Sequence, residues 1–376
     1  MGIRVGITVV GQHPQAGSDP ERALWSSGIA QNIIFLAMLL RRLPEVERVA
    51  LVSCPVVAQG ETLAHRYGLE SLSEAEAVGA LDILIEFGAR GSSAAMAAFR
   101  ASGGKLVSYV AGNVVAMNFE QLACFVPHGE VMSQAFFDAV WITPQHWRMN
   151  RSYAAVTRSE KVAMAPHIWA PDVLTQSAAR FRTDLFWKDN PRRSGARVGV
   201  FDPNVNVLKT FHLPLLACEQ AERFRPGAIE RVLLFSAAHL KGLAHAEEFI
   251  AATDLGRTGR VSVEYRAPLP EVLGPLVDVV VTLLWEIFLF YLFWDSLYAG
   301  YPLVHNAGPI ADVGYYYGDF DPQAGGRALL SALDNHAGNR ARARPQELQA
   351  LWARHIDNPD NQRVYSALIA DVARRP

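Results

Sequence analysis

The stretch from Val277 to Asn306, VDVVVTLLWEIFLFYLFWDSLYAGYPLVHN, constrains the fold more than any other part of the chain. It opens as a buried strand over Val279, Val280 and Val281, passes Glu286, and becomes an apolar run interrupted only by Asp295. Gly300 and Pro302 stop that run, and a second short strand at Leu303-Val304 leads to His305-Asn306. Strand, helix from about Phe290 to Ala299, Gly-x-Pro and strand make a βαβ unit, which calls for a parallel sheet. The apolar length also suits a membrane helix of about 20 residues. Two acids inside it, no flanking basic clusters and the Gly-x-Pro stop argue against that reading. Burying an unpaired carboxylate such as Asp295 costs on the order of several kcal/mol, so both acids need a partner or a function.

The rest of the chain repeats the alternation. Strands are predicted at Ile3–Val10, Val49–Val52, Leu81–Phe87, Leu106–Val110, Phe137–Ile142 and Val162–Met164, with a helix over Ile29–Arg42 capped by Ser26 or Ser27. Gly11 to Asp19 forms a turn-rich loop after the first strand, without the GxGxxG spacing of a dinucleotide site. Ligands collect at the carboxyl edges of such sheets, which groups Glu86, Tyr109, Asn113, Gln145 and His167 near one cleft. Residues 177–196, polar and ending in a basic cluster, read as a connection between domains 1–176 and 197–357. In the second domain Val198–Phe201 is a strand, Asp202-Pro203-Asn204 a turn, and Thr210 the N-cap of a helix to Arg223. The last helices are expected near Pro345–His355 and Gln362–Arg374, the latter within residues 358–376.

A chain of 376 residues exceeds one comfortable core and suggests two domains. Hydrophobic residues make up 50% and charged residues 19%, which excludes a disordered chain. A formal net charge of −2 gives no electrostatic case for nucleic acid. Cys54, Cys124 and Cys218 lack CxxC spacing and fit a reducing compartment. The start, MGIRVGITVVG, enters a strand without the pattern of a signal peptide, so a cytoplasmic protein with at most peripheral membrane contact is expected.

The segment around Glu286 resembles the donor-binding region of GT-B glycosyltransferases, in particular the retaining branch that includes glycogen and sucrose-phosphate synthases. There a strand leads to a first acid, and a second acid is followed by Gly-Thr-Pro-Val-Val; Asp295-Ser-Leu-Tyr-Ala-Gly300-Tyr-Pro302-Leu-Val is similar to that second acid and its tail. Here eight residues rather than seven separate the acids, the second is Asp, and glycines after Glu286 are absent. The phrases Trp285-Glu286, Leu297-Tyr298, Gly300-Tyr-Pro-Leu-Val-His-Asn306 and Gly314-Tyr-Tyr-Tyr317 also resemble a bacterial family of unknown function grouped with these enzymes, along most of the chain. Ile287 and Phe290 stand where that family has asparagines.

The resemblance implies an α/β protein of two Rossmann-like parallel-sheet domains facing a cleft, with a C-terminal helix crossing back to the first. It implies a nucleotide-diphosphate sugar as co-substrate, no separate cofactor, and a glycan, lipid-linked or protein acceptor, with retention of configuration. Lys209, at the mouth of a helix in VGVFDPNVNVLK beside Asn204, becomes the diphosphate ligand; without the resemblance it reads more readily as a solvated lysine. Asp295 would hold the ribose and Glu286 the sugar. His305-Asn306-Ala307-Gly308 offers backbone amides as a second phosphate seat, although His305 also fits a structural role. Arg266 would serve the base or phosphates, or else is a surface arginine. Asp319-Phe320-Asp321 imitates a metal-binding DxD, but its place after the tyrosine run matches a structural turn, and no metal is expected. His13, His128 and His167 are the candidate bases in the first domain. A nucleotide-sugar epimerase or a non-catalytic scaffold of the same architecture are the alternatives.

Overall fold

The computed structural model describes residues 2–10, 20–54, 63–124, 136–189, 195–286 and 290–374. The chain divides into two compact units, residues 1–170 with 353–376, and residues 171–352.

The first unit is a seven-stranded parallel sheet. Its strands are β1 (Ile3–Val10), β2 (Val46–Cys54), β3 (Glu70–Ser73), β4 (Ile83–Glu86), β5 (Lys105–Val110), β6 (Ala139–Ile142) and β7 (Val162–Met164), in the order β3-β2-β1-β4-β5-β6-β7. The central strands are buried on both faces, so they read as continuous apolar runs rather than alternating ones. The helix Gly28–Leu40 starts where Ser27 accepts a hydrogen bond from the Ala30 N–H. It buries Ile33, Ile34, Phe35, Leu36 and Leu39 against the sheet. Helix Pro359–Ala373 completes this unit: Tyr365, Ile369 and Val372 are fully buried, and the Tyr365 hydroxyl bonds the Tyr109 hydroxyl at 2.7 Å and donates to the Pro166 carbonyl at 2.8 Å. The returning chain pairs Trp169 with His355 in a parallel bridge.

The second unit is a six-stranded parallel sheet of β8 (Ala196–Val200), β9 (Ile229–Leu234), β10 (Val261–Val263), β11 (Val279–Val281), β12 (Leu303–His305) and β13 (Tyr315–Tyr316), in the order β10-β9-β8-β11-β12-β13. Val198, Val200, Val232, Leu234, Val279, Val281 and Val304 form its core with Phe211, Leu215, Cys218 and Leu329 from two helices. Residues 177–189 and 195–196, expected as a connection, pack within this unit. Thr183 donates to the Pro270 carbonyl at 2.7 Å, and the Trp187 indole donates to the Asp278 carbonyl at 3.0 Å.

The helix after β11 spans Tyr291–Ala299 and ends at Gly300, whose φ of 76° is left-handed. A Cβ there would lie 2.4 Å from Arg340 Nη2. Two local expectations fail. The helix placed at Thr210 begins at His212, with Phe211 at its N-cap and no side-chain cap; Asn204 Oδ1 accepts the Phe211 N–H at 2.7 Å. Pro345 starts no helix but lies inside one that runs from Pro322 to Trp352, held by its packing along the helix His212–Phe224. Among the described residues no helix is long and apolar enough to cross a membrane.

Candidate functional site

In each sheet the strand order reverses beside the first strand, between β1 and β4 and between β8 and β11. Crevices at such switch points, at the carboxyl ends of the strands, are where open parallel sheets bind ligands.

In the second unit the crevice begins with the loop after β8. Asp202 is fully buried, and its Oδ1 accepts from the Thr282 hydroxyl at 3.0 Å across the β8–β11 gap. Its Oδ2 is buried with no hydrogen-bond partner. The loop is drawn tight by its own amides: Asn204 donates through Nδ2 to the Asp202 carbonyl at 2.6 Å, and Asn206 and Lys209 form an isolated bridge. Asn204 has a left-handed φ of 55°, as do Ser236 after β9 (58°) and Glu286 after β11 (54°). Non-glycine residues adopt that region at a cost of about 1–3 kcal/mol, and all three lie at the carboxyl edge of this sheet.

Lys209, half-buried, places its ammonium 4.0 Å from the centre of the Phe290 ring. Desolvation lowers its pKa to about 8; the Asp202 carboxylate opposes that fall and the Arg266 guanidinium adds to it. Arg266, after β10, is pushed down to about 10 by burial. Burial raises Asp202 to about 7, against the Thr282 hydrogen bond and the charge of Lys209. Lys209 and Asp202, a carboxyl with an unfilled oxygen, therefore sit at the β8–β11 switch point, and Arg266, after β10, is close enough to act on the Lys209 charge; the three balance to +1 while all are ionised. An anion such as a diphosphate would neutralise it.

Glu286 stands on the next loop, which is tied to the first where the Trp285 N–H donates to the Leu208 carbonyl at 3.2 Å. Asp295 is 3% exposed in the middle of its helix. At the turn expected to offer backbone amides as a second phosphate seat, the side chains of His305 and Asn306 serve the fold. His305 Nδ1 accepts the Ala307 N–H at 3.1 Å and Nε2 donates to the Val313 carbonyl at 2.8 Å, with burial holding its pKa near 4 and the ring neutral. The Asn306 amide accepts from the Leu284 N–H at 2.9 Å and donates to the Leu284 carbonyl at 3.0 Å, fixing the strand end that carries Glu286. Gly308 is exposed, with open space where a side chain would stand. Asp321 accepts the Gln323 N–H at 2.8 Å, as a helix cap does.

In the first unit Glu86 and Tyr109 line a cavity of about 610 Å³ at the carboxyl ends of β4 and β5. Gln145 and His167 pair with each other, Nε2 to Nδ1, at 3.2 Å. Burial, with the charges of Arg354 and His146, lowers His167 to about 3, which leaves it a neutral hydrogen-bonding group and a weak base. Asn113 turns inward, its Oδ1 accepting from the Ala116 N–H at 3.0 Å. His13, His128 and the loop from Gly11 to Asp19 lie outside the described residues. Asp202 and Phe290 were missed as site residues. Only the distance from Asp202 to Thr282, eighty positions along the chain, gives the carboxylate its place.

Similar architectures occur in solved structures. Anabaena HepE in complex with UDP-glucose superposes with a TM-score of 0.61 at 14% identity, covering 98% of this chain and 100% of its own. Sucrose-phosphate synthase from Thermosynechococcus elongatus gives 0.57 at 13% identity, over 98% and 100% of the two chains. A glycosyltransferase from Rickettsia africae gives 0.55 at 10% identity over 100% of both. Two parallel-sheet units and these neighbours identify the architecture as GT-B. No curated protein matches the chain. The model of one family, described as a protein of unknown function (DUF2827), matches residues 5–369, and the chain belongs to that family.

Proposed function

We propose that the chain is a glycosyltransferase that moves a sugar from a UDP-sugar to a glycan, lipid-linked or protein acceptor. The observation that carries this reading is Lys209 and Asp202 at the switch point of a GT-B second unit, with Arg266 within electrostatic reach of Lys209. The UDP-glucose complex of HepE, a structural neighbour, supports the choice of donor. In the reaction the bond from the sugar's anomeric carbon to the diphosphate oxygen breaks, and its electron pair stays on that oxygen. The acceptor hydroxyl oxygen bonds the same carbon and gives its proton to the departing diphosphate. Charge builds on the phosphate as the sugar becomes oxocarbenium-like, so Lys209 and Arg266 lower the barrier by stabilising the leaving group. Asp202 keeps Lys209 charged. Asp295 takes the ribose hydroxyls and Glu286, held out by its left-handed backbone, the sugar. Transfer of that proton to the leaving diphosphate places attack on the face it vacates, which retains configuration.

Calorimetric titration with UDP, GDP and dTDP, followed by incubation with UDP-glucose, tests the reading. Binding of UDP below millimolar and slow release of UDP together with free glucose are expected. Absence of binding by any of the three diphosphates near millimolar overturns it, and conversion of the donor to an epimer without UDP release points to an epimerase instead.

A further inference from the structure

The first unit carries its own crevice, and its lining has a specific chemistry. The cavity of about 610 Å³ is bordered by Glu86, Phe87, Arg90, Tyr109, Met117 and Arg158, a size that suits a small-molecule ligand. The loop bearing the first three is fixed by Thr8 on β1, whose hydroxyl accepts the Phe87 N–H at 2.9 Å and donates to the Ala89 carbonyl at 2.6 Å. Arg158 closes the helix Pro144–Thr157 and donates to the Ser108 hydroxyl of β5. Burial disfavours its charge, Glu86 supports it and Arg90 opposes it. One carboxylate thus faces two guanidiniums in one partly dry crevice.

The helix Val114–Cys124 opens at the same rim, but its first amides are taken. Val114 bonds the Gly112 carbonyl at 3.1 Å, Val115 bonds Asn150 Oδ1 at 3.3 Å, and Ala116 bonds Asn113 Oδ1. Charge recognition therefore falls to the two arginines, whose planar forks match carboxylate and phosphate. Beside them the partly exposed Phe87 ring, backed by the buried Tyr109 ring at 4.3 Å between centroids and tilted by 33°, gives an apolar wall for the C–H face of a pyranose.

We infer that this crevice is the acceptor site and that the acceptor is a sugar bearing an anionic group, with Arg90 and Arg158 on the anion and the ring against Phe87. The word acceptor rests on the glycosyltransferase reading; the anionic-sugar site does not. Either a uronate carboxylate or a sugar phosphate supplies the same chemistry.

Full-length protein is titrated with methyl β-D-glucuronide, glucose 6-phosphate and methyl β-D-glucoside, with saturation-transfer NMR to report the contacts. At least one charged sugar binds about tenfold or more tightly than the neutral glucoside, and which one separates carboxylate from phosphate. Arg90→Met and Arg158→Met each cost about tenfold for that sugar and leave the glucoside unchanged, whereas Glu86→Gln tightens it several-fold by removing the competing carboxylate. Equal affinity for charged and neutral sugars, no binding of any, or unchanged affinity in folded Arg90→Met overturns the inference. Arg90 is partly exposed, so that variant folds even if Arg158→Met does not. UDP is titrated against every variant in parallel. UDP binding without anionic-sugar binding sinks this inference alone, and the converse sinks the nucleotide reading alone.

Discussion

Replacement of Lys209 by Met keeps a side chain of similar length and removes the charge that stands over the Phe290 ring. A charge-assisted hydrogen bond is worth about 1.5–3 kcal/mol, so UDP affinity at pH 7 should fall roughly tenfold to a hundredfold. The structure adds a pH signature. With its pKa near 8, Lys209 is mostly charged at pH 7 and mostly neutral at pH 9. UDP affinity of the natural protein should therefore drop by roughly tenfold between those two values. The sign follows from the depressed pKa: the ammonium that binds the diphosphate is present below about pH 8 and is lost above it, while an exposed lysine would titrate near 10.5. Calorimetry at half-unit steps from pH 6.5 to 9.5 reads both effects, with the bare nucleoside uridine as control. In Lys209→Met the break near pH 8 should vanish. Equal losses for uridine and UDP, or an unbroken profile in the natural protein, would show that Lys209 only packs.

Asp202→Asn removes the carboxylate that supports the Lys209 charge, so the break in the UDP profile should move below pH 8; an unmoved break refutes the coupling. Asp295→Asn should weaken UDP and UDP-glucose alike by about 1–3 kcal/mol, whereas Glu286→Gln should leave UDP affinity unchanged and lower turnover. A matched fall in melting temperature for both, without a split between ligands, would make them structural acids. Asn306→Ala strands the Leu284 N–H and carbonyl and should cost about 2–4 kcal/mol in urea denaturation, with a loss under 1 kcal/mol contradicting the clamp.

What the sequence could express depended on distance along the chain. β11 and β12 were legible because strands buried on both faces are continuous apolar runs, and Gly300 marked the helix end because its φ admits little else. Lys209 and Arg266 were legible as cations at strand ends. β3 was not: its sequence, Glu-Ser-Leu-Ser, is half exposed at a sheet edge and carries no periodicity. Nor was Asp202, which reads as the first residue of an Asp-Pro-Asn turn until Thr282 arrives beside it. His305 and Asn306 looked like ligand groups because a polar pair after a strand is ambiguous, and only the Leu284, Ala307 and Val313 backbone reveals their partners.

The first unit is discontinuous in the chain, and this orders its biosynthesis. Its opening 170 residues leave the ribosome well before the helix Pro359–Ala373 that supplies Tyr365, Ile369 and Val372. Roughly 180 residues must be translated in between, about 9–36 s at ordinary elongation rates. The second unit, contiguous from 171 to 352, has every strand it needs before then. The nascent first sheet therefore waits with Tyr109 lacking its hydroxyl partner and an apolar groove uncovered, an interval in which chaperone protection matters most. The part of the chain made first is the part that finishes last.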